Sequence, residues 1–249
     1  MKFSEFKLLN YVSEEEQNLR SNFKKLESSL NVFSRLDNLY KLPLDSAVIS
    51  ETDGVIPGLY LMVHFKFYFS ISCLLRGHIS EGFGSARAAI DASLIAYKII
   101  LEPETKESYL KGEWSFKSIK NHLSKEREKD KSRYPLAVAL IELHEMCSEH
   151  ASHADFSVLK HRIKVLKQEN TEKRLLTPKY FDGPSDEVLY HGIIIDFLKA
   201  FHAMLVIFQP FIVKTFSIES DKWVNEIIKI GEVLNEEQRK LIEYLKTHK

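Results

Sequence analysis

Between Gly82 and Ala96 the chain reads GFGSARAAIDASLIA, and nine of these positions carry only Gly, Ala or Ser. The segment belongs to a longer apolar run, Ser80 to Leu101, bounded by Gly77 before it and by Glu102-Pro103 after it. Gly and Ala at this density, with Ile90, Leu94, Ile95 and Tyr97 between them, read as a helix of thin profile. Helix axes approach as closely as the side chains between them allow, so such a helix draws its neighbours tightly around it. A chain with this segment near its middle is best satisfied by a helical bundle.

Proline supplies much of the remaining punctuation. Ser13 with Glu16 forms a capping box, which predicts a helix from residue 13 to about Leu42, just before Pro43, able to pack as an N-terminal arm. Residues 43–56 read as a loop. Pro57 suits the first turn of a helix through Leu75 that is apolar on most sides and is expected in the interior. A charged helix follows over about 115–132, and Pro135 opens another through about His150. The alternation around residues 157–181 predicts a small β-hairpin. A long helix then runs to about Phe216, kinked at Pro210, and the last spans about Asp221 to Thr247. Gly and Pro together number only 16 of 249 residues, which argues against Gly-rich β architectures and long linkers. The expected fold is mainly α: one multi-helix bundle domain over 1–249 with a small hairpin insertion.

Two apolar stretches have the length of membrane spans. Pro57–Leu75 has Lys66 at its centre and His64 beside it; Leu189–Val213 carries Asp196, Lys199 and His202. A central lysine largely offsets the insertion energy of such a segment, so both are expected as buried bundle helices and no membrane span is predicted. Cys73 and Cys147 lie far apart without a CxxC pattern, and the N-terminus lacks the unbroken apolar core of a signal peptide. A cytoplasmic setting follows as the expectation.

Three groups of residues are candidates for chemistry. Arg87 and Asp91 stand four apart on the thin helix, where a guanidinium can hold a carboxylate or phosphate and the aspartate can orient it. Their apolar surroundings predict burial, so Arg87→Ala is expected to destabilise the fold. The second group is LHEMCSEHASHAD, residues 143–155, with His144, His150 and His153. These offer local helix capping, acid/base chemistry, or weak metal candidacy, though neither HExxH nor a Glu-x-x-His repeat is present. The third is charge. Lys+Arg and Asp+Glu balance at 35 each, yet residues 117–133 and 157–180 are both strongly basic, while 134–156 has no Lys or Arg. Lys125, Arg127, Lys160 and Arg162 are the candidate phosphate contacts, with a solvated face as the alternative. No cofactor motif is complete: Gly82-Phe-Gly84 follows a helix rather than a strand.

The segments LLRGHISEGFGSARAAIDASLIAYKIILEPE and LHEMCSEHASHADF together resemble a loose group of uncharacterised bacterial all-helical proteins. There a helix bearing Arg and an acidic residue precedes one that ends in a Ser/His turn, mapping here to Arg87, Asp91, Ser148, Ser152 and His153. Ala154-Asp155 stands where Pro often follows the His in that group. The resemblance implies a helical bundle and extends distantly to HEPN-type proteins, many of them RNases. The HEPN pattern of Arg, four to six residues, then His is absent at every arginine here. The expected function is a regulatory or interaction role, with an Arg87/Asp91 and His150/His153 polar cluster between core helices and with self-association through helix faces. The alternatives are a nucleic-acid-binding or metal-independent RNase-like component of toxin or phage-defence systems, and a metal-dependent hydrolase at His144/His150/His153.

Overall fold

The computed structural model describes residues 7–45, 54–130, 132, 134–151, 163–167, 174–178, 181, 187–216 and 218–247. Along the chain these form α1 (Lys7–Lys25), α2 (Glu27–Asp45), α3 (Val55–Arg76), α4 (Ile79–Leu101), the short α5 (Thr105–Leu110), α6 (Phe116–Lys129) and α7 (Ala137–Ala151). Then come β1 (Ile163–Lys167), β2 (Arg174–Pro178), α8 (Glu187–Thr215) and α9 (Ser220–Thr247). The protein is a mainly α bundle. Its one described ladder is antiparallel, with Val165 opposite Leu176.

The thin helix α4 is the centre. Ala86, Ala89, Ala92, Ser93 and Ala96 are all buried. On one side α3 runs antiparallel to it, close enough that a Cβ added at Gly82 would lie 3.0 Å from the Leu74 side chain and 3.2 Å from the Ser70 carbonyl. On another side α7 approaches, with Gly84 facing Ala151. The Phe83 ring meets Phe197 of α8 edge-on at 5.0 Å. α6 packs by Ile119 and Leu123, and its first turn is capped by Ser115, which accepts a hydrogen bond from the Ser118 N–H.

Aromatic donors tie the outer helices to this centre, as buried Tyr and Trp require partners for their polar ends. Tyr40 Oη donates to the Phe201 carbonyl at 2.7 Å and Tyr60 Oη to the Tyr40 carbonyl at 2.9 Å. Tyr190 Oη donates to the Leu74 carbonyl. Trp223 Nε1 donates to the Leu39 carbonyl at 3.0 Å.

Three sequence expectations are corrected here. The N-terminal helix is not one element over 13–42: α1 begins before Ser13, and the turn residue Leu26 separates it from α2. α2 also continues past Pro43, which sits inside its last turns. Proline at 43 removes the N–H that Leu39 would use four residues earlier, and the indole of Trp223 occupies that carbonyl instead. Finally, α3 is not enclosed on most sides; Leu61, Met62, Phe65 and Phe69 face solvent.

The Pro43–Trp223 relation is open to a double-mutant cycle. Trp223→Phe leaves the buried Leu39 carbonyl without its donor and should cost about 1–3 kcal/mol in urea unfolding. Adding Pro43→Ala returns a backbone N–H, so the double variant should lose less than the two single losses summed. Strict additivity would show that the two residues do not share this carbonyl.

Candidate functional site

Asp91 and His144 meet where α4 crosses α7. His144 shares a helix face with the buried Leu140, Cys147 and Ala151, so the apolar stripe of α7 carries its imidazole inward. Its Nε2 lies 3.0 Å from Asp91 Oδ1, with the His144 side chain 9% exposed and that of Asp91 30%. The approach is close but not aligned for a hydrogen bond. Both ring nitrogens of His144 and Oδ1 of Asp91 are buried without a hydrogen-bonding partner among the described residues. Phe116 of α6 covers the imidazole, ring centroids 4.7 Å apart. Lys120 pins α6 to α7 through Glu145 at 2.7 Å. Cys147, one turn on, is fully buried, and burial pushes its thiol up to about 12, so it is no nucleophile.

Arg87 does not lie inside this junction. It is exposed, and among the described residues no ion pair joins it to Asp91. Its charge nonetheless reaches the Cys147 thiol, which places it at the rim of the α4–α7 contact. The i,i+4 relation to Asp91 holds, but that helix face straddles the edge of the contact. The short Asp stays in while the long Arg extends out. His150 is exposed and rests against the Phe83 ring at 4.8 Å. It does not join Asp91, so the expected pairing of Arg87/Asp91 with His150 is replaced by Asp91 with His144. His153, Ser152, Lys160 and Arg162 lie outside the described residues.

Lys125 is exposed on α6, whereas Arg127 is half-buried and its Nε has no hydrogen-bonding partner among the described residues. Lys117, Asn121, Lys125 and Lys129 recur every four residues and form an exposed polar stripe along that helix. Among the described residues no group of three or more His, Cys, Asp or Glu side chains is placed to hold a metal ion.

A second polar cluster escaped the sequence reading. Lys98, only 2% exposed, donates to Glu102 Oε2 at 2.7 Å and lies 4.5 Å from the centre of the Trp114 ring. Tyr134 Oη donates to Glu102 Oε1, and His122 Nε2 stands 3.5 Å from the same oxygen. Burial alone would raise the Glu102 carboxyl, but the Lys98 ammonium, the Tyr134 hydroxyl and His122 reverse this and hold it down at about 2. Tyr134 adopts a left-handed φ of 55°, unfavourable for an aromatic residue, and the surrounding contacts hold it there. A third cluster, on α2 and α3, is fully paired: Asp37 accepts from His64 at 2.8 Å, Tyr68 at 2.6 Å and Lys41 at 2.7 Å. The i,i+4 pair Lys98/Glu102 was visible as a spacing; the return of residues 114, 122 and 134 to it was not.

The Glu102 cluster predicts an acid limb in stability. Its carboxyl titrates lower in the folded chain than the ordinary 4.5, so its contribution is complete above about pH 5 and disappears as pH falls toward 2. That contribution is on the order of 2–3 kcal/mol. Glu102→Gln should be less stable than wild type near neutral pH, since Lys98 is then buried without a countercharge. It should also lose less between pH 5 and pH 2, as read from urea midpoints; an unchanged acid slope would remove Glu102 as its source. Comparison with protein families, with curated proteins and with solved structures finds no match to this chain.

Proposed function

We propose that this protein is a regulatory or interaction protein that receives an anionic group of its partner at the α4–α7 junction. One observation carries the reading: the His144 imidazole is nine-tenths buried beside Asp91, with neither ring nitrogen hydrogen-bonded among the described residues. Leaving buried polar atoms unpaired costs about 1–3 kcal/mol each, so a fold that keeps them in this state has a use for them. The Asp91 carboxylate, 3.0 Å from Nε2, steadies the orientation of the ring. A ring N–H is then available to an incoming acceptor, and the guanidinium of Arg87 at the rim supplies a planar fork for the same group. A phosphate or carboxylate on a partner is the chemistry that satisfies both.

The stripe of Lys117, Lys125 and Lys129 on α6 supports a second reading, a nucleic-acid partner. In that case Arg87 and the lysines hold the phosphate backbone, and His144, steadied by Asp91, is placed to accept a proton as general base. This keeps the metal-independent RNase-like alternative without relying on a HEPN motif.

Both readings are separated by NMR of the histidine side chains at low ionic strength. Inorganic phosphate should move the His144 resonance, and Arg87→Ala should weaken this response about tenfold. Because Arg87 is exposed, the same variant should change stability by no more than about 0.5 kcal/mol. A response to a short single-stranded RNA that is steeply salt-dependent, with none to phosphate, assigns the second reading. A folded protein whose His144 signal ignores both probes overturns the two together.

A further inference from the structure

The outer face of α3 is independent of the junction described above. Leu61, Met62, Phe65 and Phe69 recur at three- and four-residue spacing and are 46, 40, 63 and 47% exposed. Large apolar side chains contiguous on one helix face mark a contact surface rather than ordinary scatter. The Phe65 and Phe69 rings lie nearly parallel at 6.3 Å, and Lys66 Nζ stands 5.6 and 5.9 Å from their centres. The whole of α3 contains no Asp or Glu. On α4, the Ser85 hydroxyl donates to the Lys66 carbonyl at 3.4 Å.

We infer that this face of α3 is a docking surface for an anionic lipid bilayer. α3 is long and apolar enough to cross a membrane by length and composition, yet half of its most apolar window is packed inside the bundle. With one side packed in the bundle, the helix can lie in the interface plane with the other side in the acyl boundary. Aromatic and aliphatic side chains are then buried in lipid, and lysine extends its ammonium to the headgroups. Charge selects this occupant over a second copy of the chain. Two α3 faces related by a two-fold axis would bring Lys66 toward its own counterpart, with no acidic residue on either helix to separate them. Anionic headgroups supply the missing countercharge.

Co-sedimentation of the full chain with vesicles tests this. Vesicles of phosphatidylcholine with a third phosphatidylglycerol should bind the protein at low salt, and phosphatidylcholine alone should bind it far less. Phe65→Ser with Phe69→Ser should reduce binding at least tenfold, and Lys66→Gln about fivefold. Both variants should keep the wild-type circular dichroism and melting curve, because the altered side chains touch solvent. Wild type that ignores the anionic vesicles overturns the proposal, as does a Ser variant that binds as well as wild type. A solution dimer abolished by the same two serines would assign the face to a second copy and overturn it equally. None of these outcomes depends on His144.

Discussion

Close approach to α4 is the constraint from which the rest of the architecture follows. With Gly82 tight against Leu74 and Ser70, and Gly84 in ordinary contact with Ala151, two antiparallel neighbours settle on different sides of one helix whose small residues keep its profile thin. The α4–α7 register follows from the second contact. Two turns along each helix from the Gly84–Ala151 approach, in opposite chain directions, stand Asp91 and His144. The polar junction is therefore a consequence of where the smallest residues sit, and its geometry is inherited from packing rather than from any attraction between its two members.

Much of the fold was legible because proline and side-chain volume act locally. Pro57 and Gly77 mark the ends of α3, Ser115 the start of α6, and Glu102-Pro103 the end of α4. Pro43 misled for a tertiary reason: its disruptive effect is a lost hydrogen bond at Leu39, and a tryptophan 184 residues further along the chain makes good that loss. The exterior of α3 was misjudged because an apolar residue at a helix position does not declare whether protein or something else will cover it. At the candidate site, Arg87 and Asp91 were correctly placed on one face. Spacing alone could not reveal that the edge of a helix contact divides them. His150 and His153 drew attention as a pair, whereas the buried histidine of that segment is the one in register with Leu140, Cys147 and Ala151.

Carboxylates next to imidazoles recur through the molecule: Asp37 with His64, Glu15 with His78, Asp91 with His144, and Glu102 with His122. Each lies where two or more helices meet and joins side chains of different elements. They differ in how completely they are paired. Asp37 is saturated by three donors and Glu102 by a lysine and a tyrosine, which makes both good fastenings. Among the described residues both ring nitrogens of His144 lack a hydrogen-bonding partner, whereas at the Glu102 cluster only His122 Nε2 does. The balanced net charge of the chain conceals this internal sorting, as it conceals the acid-free helix α3.

The Glu102 cluster has a further consequence for how the molecule opens. Glu102 stands at the end of α4 and Tyr134 just before α7, and the hydrogen bond between them brings the two ends of a side loop together. α5 and α6 belong to that loop, whereas α3, α4, α7 and α8 do not. Ile119 and Leu123 are the buried residues of α6, and a segment with few buried apolar contacts is of the kind that opens at a free energy below that of global unfolding. Phe116, which covers His144, rides on this loop. The cover over the imidazole thus depends on how this loop is seated, and the Tyr134–Glu102 hydrogen bond fastens its base.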